Sequence, residues 1–271
     1  MMIKSTRRGN FIIDLRKILI IILIFFIIKM FILAYKNTGE TIAEFSQRIK
    51  NEKGVKYAAI CGKLDPMARG LTRVLLDENR KLMDNYLDSI KKYSFKLVIG
   101  IKTKSDDILG EIVKVSQTDY YDDIMLYLMG EIANQTSQHF HPYSAKRITI
   151  GDVRRPLHYF SRRNITSHSD LPQKSVNVKN MNIGSLSDML FSRYRDMVSN
   201  NIGKIGEKNK ELFDVDNILN QWKSIDYSQN IKCIDITMEV SSGYYIRMIP
   251  YYLYRDLDIP THIFDIHRLS T

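Results

Sequence analysis

Two short stretches of the chain concentrate side chains able to do chemistry, "ITSHSDLPQK" at residues 165–174 and "THIFDIHRL" at 261–269. The first sets His168 between two serines and beside Asp170; the second carries His262, Asp265 and His267. All six histidines lie between positions 139 and 267, and Asp152 follows a glycine in "RITIGDV". Imidazole nitrogens and carboxylate oxygens are the ligands zinc takes, and a hydrolytic zinc keeps three protein groups and leaves the fourth position to water. A nearby carboxylate or imidazole can then act as base toward that water. If residues 261–269 are extended, Asp265 and His267 face the same side, because strand side chains alternate. Taken together, the histidines with Asp152, Asp170 and Asp265 supply enough nitrogen and oxygen ligands for one zinc. The alternative for the first stretch is an exposed loop whose serines and aspartate make local turn hydrogen bonds.

Such a constellation needs elements to position it. Residues 68–92 space their apolar side chains as one long amphipathic helix would. "YSFKLVIGIK" (93–102) reads as a strand and "ILGEIVKV" (108–115) as its partner, across the turn-like "TKSDD". A helix is predicted from Thr118, a strand over "RITIGDV", a helix capped near Ser185 or Ser187, and another from Asp214 or Asp216. "IKCIDITMEV" and "GYYIRMIPYYLY" read as a final pair of strands. Between Asp152 and Asn182 lies a polar stretch long enough to suggest a functional loop. Helices and strands mingle without regular alternation, so the expected class is α+β, a single mixed domain with a small antiparallel sheet flanked by helices.

The first residues suggest where that domain resides. Residues 18–35, "ILIIILIFFIIKMFILAY", carry Lys29 as their only charge. As a helix they would span about 27 Å, close to the hydrocarbon thickness of a bilayer. Lys4, Arg7, Arg8, Arg16 and Lys17 precede them with Asp14 as the only acid, which would hold the N-terminus in the cytoplasm. The expected layout is a basic tail at 1–17, a transmembrane signal anchor at 18–35, a stalk at 36–68 and an extracytoplasmic domain at 69–271. Cys61 and Cys233 could then pair or stay free, and the sequons at Asn134 and Asn164 could accept glycans in a secretory pathway.

The order of motifs resembles the penicillin-insensitive murein endopeptidases and related zinc D,D-peptidases with a Hedgehog-type fold. "ITIGDVRRP" stands where that family has a strand ending in Gly-Asp, "SHSDLPQKSVNV" where it has its histidine loop, and "HIFDIHRL" where it has its terminal His-x-x-His-x-His. The resemblance implies zinc held by His168 and His267, with His262 matching the first histidine of the terminal motif, Asp265 replacing the middle one, and Asp265 or His262 acting as base. The family's aspartate ligand falls on Ser175, so Asp170 or Asp152 would have to take that part, or the site would only bind cell-wall peptide. The implied function is a membrane-anchored, zinc-dependent cell-wall peptidase or its inactive relative.

Two rivals accompany it. One is a non-catalytic envelope or surface interaction protein. The other is a type II membrane glycosyltransferase in which Asp214 and Asp216 of "LFDVDN" hold a divalent ion and a sugar nucleotide. Gly-x-Ser-x-Gly, Gly-x-x-x-x-Gly-Lys and Gly-x-Gly-x-x-Gly are all absent, which removes the common nucleophile-elbow and phosphate-loop enzymes. The formal charge of +10, from 40 Lys and Arg against 30 Asp and Glu, suits an anionic partner. With the basic residues dispersed and the domain expected outside the cytoplasm, that partner is expected to be membrane or cell-wall polymer and not nucleic acid.

Overall fold

The alternation in "KKYSFKLVI" builds the middle of the molecule. Tyr93, Phe95 and Leu97 turn to one face of strand β4 (Lys91–Ile99) and are buried there. The computed structural model describes residues 31–271. β4 is flanked on both sides by antiparallel neighbours, β12 (Ile231–Val240) and β13 (Thr261–Ser270). The sheet has seven strands in the order β1-β3-β13-β4-β12-β11, with β2 paired to β3; β1 is Ile32–Lys36, β2 Ala58–Cys61, β3 Arg69–Leu76 and β11 Val178–Met189. One pairing is parallel: β13 meets β3 through His267 opposite Arg69 and Arg268 opposite Gly70. Small hairpins add β5 (Ile101–Thr103) with β6 (Ile112–Val115), and β8 (Arg147–Ile150) with β9 (Val153–Pro156); β7 (Ser137–His139) pairs with β10 (Gln173–Ser175).

Helix α1 (Ile42–Lys53) begins at a capping box, in which the Thr41 hydroxyl accepts from the Glu44 amide and the Glu44 carboxylate accepts from the Thr41 amide. It lays Phe45 and Ile49 against Ile60 and Val74 of the sheet. On one face of the central strands Ile234, Ile236 and Met238 pack with Ile124 of α2 (Tyr121–Tyr127). Leu157 and Phe160 of α3 (Leu157–Ser161) are also buried. On the opposite face Val98, Cys233 and Phe264 pack under α4 (Phe191–Ile202) and α6 (Val215–Ser224), with α5 (Glu207–Phe213) between them. The last helix, α7 (Met248–Leu257), adds Met248, Ile249 and Leu253 to the first face.

Several expectations give way here. Residues 32–35, the end of the predicted transmembrane helix, lie in β1 and pair with β3. The rest of the predicted span, with the basic tail, lies outside the described residues. Among the described residues no helix is long and apolar enough to cross a membrane. The sheet is not small and antiparallel but seven-stranded and mixed. Residues 36–68, expected as a stalk, carry α1 and β2 and contribute Phe45, Ile49 and Ile60 to the core. The predicted long helix at 68–92 is β3 followed by a 3-10 turn at Asp77–Leu82 and a single helical turn at Asp84–Leu87. The second of the last two predicted strands is α7, whose apolar face the sequence disguises with consecutive tyrosines.

Candidate active site

The chain between β2 and β3, "GKLDPMA", turns at Asp65 and Pro66, where the Ala68 amide donates to the Asp65 carbonyl. The turn is fixed from beneath by Lys36, the last residue of β1, which is completely buried. Its Nζ donates to the carbonyls of Ala68 at 2.7 Å, Pro66 at 3.2 Å and Asn37 at 3.1 Å. Burial lowers the Lys36 pKa to about 8, partly offset by Asp65 and Glu40. The Gly39 amide donates to Pro66 as well. From the other side Arg268 of β13, also fully buried, donates Nη1 to the Gly62 carbonyl at 2.8 Å and Nε to Leu71 at 2.7 Å. Gly70 has φ of 133°, and a Cβ there would stand 2.2 Å from the Arg268 carbonyl, so β3 and β13 close on each other only with glycine at this point.

The Asp65 carboxylate meets an arginine from a distant part of the sequence. After β12 the chain turns through Gly243, with φ of 80°, and enters α7 with Arg247 at its N-cap. Arg247 Nε donates to Asp65 at 2.9 Å and Nη1 to the Ser105 carbonyl at 2.8 Å, while the Asp107 carboxylate lies 3.6 Å from Nε. The Arg247 and Asp107 side chains are only 4% and 5% exposed, whereas that of Asp65 is 31% exposed. Asp107 is held further by the Ser105 hydroxyl and the Leu109 amide, and burial raises its pKa. Two carboxylates thus share one buried guanidinium, and only Asp65 offers an accessible oxygen.

Asp65 and Arg247 stand on the common wall of two cavities. The first, about 390 Å³, runs past Gly62, Tyr93, Tyr245, Ile266 and Arg268; the second, about 330 Å³, past Ile42, Tyr143, Arg162 and Phe213. Burial raises the Tyr93 pKa, partly offset by the neighbouring Arg268, and keeps the phenol neutral. The first cavity therefore presents a flat aromatic ring, an aliphatic wall at Ile266 and one anchored carboxylate. Those features suit a planar, uncharged heterocycle carrying a sugar.

The residues predicted for a metal site do not assemble. His262 is completely buried on the opposite side of the sheet, with Nε2 2.6 Å from the Tyr194 hydroxyl and Nδ1 2.7 Å from the Ile101 carbonyl. Burial depresses its pKa to about 4. Asp265 takes a left-handed φ of 53°, which breaks the alternation expected of it, and accepts both Arg69 Nε and Nη2 in a fork. His267 sits 3.3 Å from the Tyr35 hydroxyl. His168 packs against His139 and has Nδ1 3.0 Å from the Tyr251 hydroxyl and Nε2 2.9 Å from Arg255. Asp170 accepts from the amide and hydroxyl of Ser167 in a capping box, and Asp152 is exposed in the tight turn of the β8–β9 hairpin. Among the described residues no three His, Cys, Asp or Glu side chains come together as a metal site. Asp214 has φ of 55° at the junction of α5 and α6, with Asp216 in the first turn of α6, so the acid pair serves a helix start. Cys61 and Cys233 are both free thiols, buried within the sheet. Asp65, Tyr93, Arg247 and Arg268 were not singled out from sequence. The available signal was an Asp-Pro turn bracketed by Gly62 and Gly70, in a stretch taken for a stalk.

Comparison with known proteins covers part of this site, the stretch that holds Asp65 and Tyr93. Residues 50–198, more than half of the chain, match the family described as TruB family pseudouridylate synthase (N terminal domain). A tRNA pseudouridine synthase B from Mycoplasma mobile is 34% identical over 122 residues, 44% of this chain and 42% of the relative. One from Shewanella woodyi is 27% identical over 157 residues, 57% of this chain and 47% of the relative. The chain thus spans somewhat under half the length of these relatives. A solved H/ACA RNP bound to a substrate RNA containing 2′-deoxyuridine superimposes with a TM-score of 0.45 at 13% identity, covering 92% of this chain and 49% of that one. The family match overturns the resemblance to murein endopeptidases and, with it, the zinc peptidase, the glycosyltransferase and the extracytoplasmic single-pass placement. The expectation that nucleic acid plays no part does not survive relatives bearing these names.

Proposed function

Because the chain belongs to the TruB family of pseudouridylate synthases, we propose that it converts uridine to pseudouridine within an RNA strand, with Asp65 as the catalytic carboxylate. The observation that carries this is the Asp65 carboxylate itself, part-exposed on the wall between two cavities and locked by a buried arginine. Isomerisation breaks the bond from C1′ to N1 of the base and forms one from C1′ to C5. The C5 hydrogen leaves as a proton, N1 gains one, and nothing else is consumed. Positive character develops at C1′ as the glycosidic bond opens, and a fixed carboxylate stabilises it by charge or by bonding to it. Tyr93 gives the uracil ring a face to lie against while it turns from N1 to C5, and Ile266 excludes water from the reacting carbon. Arg247 positions Asp65 through the 2.9 Å hydrogen bond from Nε.

The test is tritium release from tRNA transcripts made with uridine labelled at C5, since only bonding at C5 expels that hydrogen. Wild-type chain should release label and leave a C-glycoside in the digested RNA. Asp65→Asn should fall to background while binding the transcript as before. Release by Asp65→Asn at the wild-type rate, or none by the wild type on any transcript, would sink the assignment.

A further inference from the structure

Strands β11 and β12 are antiparallel neighbours, yet residues 190–230 intervene where a hairpin loop of a few residues would serve. That excursion holds α4, α5 and α6, and its tip reaches back to the Asp65 turn. The close approach is at Gly39, where a Cβ would lie 2.5 Å from the Lys204 carbonyl; Glu44 and Lys208 add a 3.8 Å ion pair. This brings Leu212 and Phe213 of α5 over the second cavity, opposite Ile42, Leu109 and Tyr143.

The Arg162 guanidinium, from the turn after α3, lines the same cavity, whose other charged side chains are Lys63, Asp65, Asp107 and Arg247. It lies 5.7 Å from the centroid of the Phe213 ring, and among the described residues it forms no hydrogen bond or ion pair. Partial burial lowers its pKa, although the side chain still reaches solvent. The other acids of the cavity, Asp65 and Asp107, are both taken up by Arg247. The volume of about 330 Å³ lies near the lower end of the range for small-ligand pockets, about 300–1,000 Å³.

An aromatic ring, an aliphatic wall and an unpaired guanidinium together recognise a base and its phosphate. Because this cavity shares the Asp65 wall with the first, its occupant must be covalently near the reacting uridine. We infer that the second cavity is a subsite for the nucleotide next to the target in the same RNA strand, its base against Phe213 and its phosphate on Arg162. This rests on the reading of Asp65 above and adds to it that the helical excursion reads sequence context.

The experiment uses the full chain and oligoribonucleotides with a single uridine, carrying 2-aminopurine or an abasic residue on its 5′ or its 3′ side. Binding should change 2-aminopurine fluorescence on one side only, and that response should vanish in Phe213→Ala and in Arg162→Gln. An abasic residue on that side should raise Kd and KM about tenfold, with kcat little altered, and should cost the Phe213→Ala variant nothing further. Equal responses on both sides, or indifference to the abasic residue, would overturn the subsite. Fluorescence and Kd need no turnover. A one-sided response without tritium release would therefore reject the isomerase reading and keep the nucleotide subsite, whereas release without a one-sided response would do the reverse. Arg162→Gln lies at a partly exposed position and keeps the test alive should Phe213→Ala fold poorly.

Discussion

At the scale of single residues, the site depends on cations placed where water cannot reach them. Arg247 answers two carboxylates and a carbonyl, so Arg247→Met should leave Asp107 buried and uncompensated, costing about 3–5 kcal/mol in denaturant unfolding. Arg247→Lys keeps the charge but not the fork, so it should fold better than Arg247→Met and still lose most tritium release. Lys174 of β10 shows the opposite balance. Its Nζ is buried, without a hydrogen-bond partner among the described residues, 4.0 Å from the centroid of the Tyr245 ring, and burial lowers its pKa to about 7. An unfolded lysine keeps its proton to about pH 10.5, so between these values the unfolded chain binds more protons than the folded one and stability rises with pH. Lys174→Met should therefore raise Tm, most at or below pH 7, with the advantage fading toward pH 10. A constant or growing advantage across that range would show that the ammonium is not desolvated.

At the scale of elements, the Asp65 turn is held between β1, α1 and β13, and small changes in those supports should propagate to it. Gly39→Ala puts a side chain at φ of 86° and 2.5 Å from a backbone carbonyl, so it should cost about 1–3 kcal/mol and loosen the helical excursion, measurable as faster amide exchange in α5. Thr41→Ala removes half of a capping box and should cost about 1 kcal/mol by denaturant unfolding. The strongly periodic strands β4 and β12, together with α6, were legible from sequence because their alternation or helical spacing is set by burial on a packed face. β3 was not. In "RGLTRVLL" Gly70 and Thr72 take two of the alternate buried positions, so the apolar residues left visible, Leu71, Val74 and Leu75, fall at spacings that also satisfy a helix. The site escaped for a related reason. His262 and Asp265 have titratable side chains but are spent on structure, one as a buried hydrogen-bonding hub and one as a partner of Arg69. Asp65 and Arg247 lie some 180 residues apart in sequence, and only the β13 return that closes the sheet makes them neighbours.

At the scale of the whole molecule, the net charge of +10 takes on a different meaning beside a nucleotide-sized site. Lys146, Arg147, Arg154 and Arg155 are exposed along the β8–β9 hairpin, with Asp152 as the only acid in its turn, and α3 leads from it to Arg162 on the second cavity. Affinity for RNA should fall linearly with log salt concentration. Arg154→Ala and Arg155→Ala should each weaken binding to a similar degree on every RNA sequence and reduce the salt slope by about 1. A slope unchanged in both variants would place the phosphate contacts elsewhere.

The order in which the sheet is sewn together sets when the Asp65 turn gains its support. β13 comes last in sequence among the strands yet lies inside the sheet, and Arg268 within it supplies the hydrogen bond that pins Gly62. A nascent chain still tethered to the ribosome by those residues has β3 and β4 unjoined and its carboxylate turn held by Lys36 and Gly39 without the Arg268 bond. The turn must therefore take its final form only when that strand slides between two others already made.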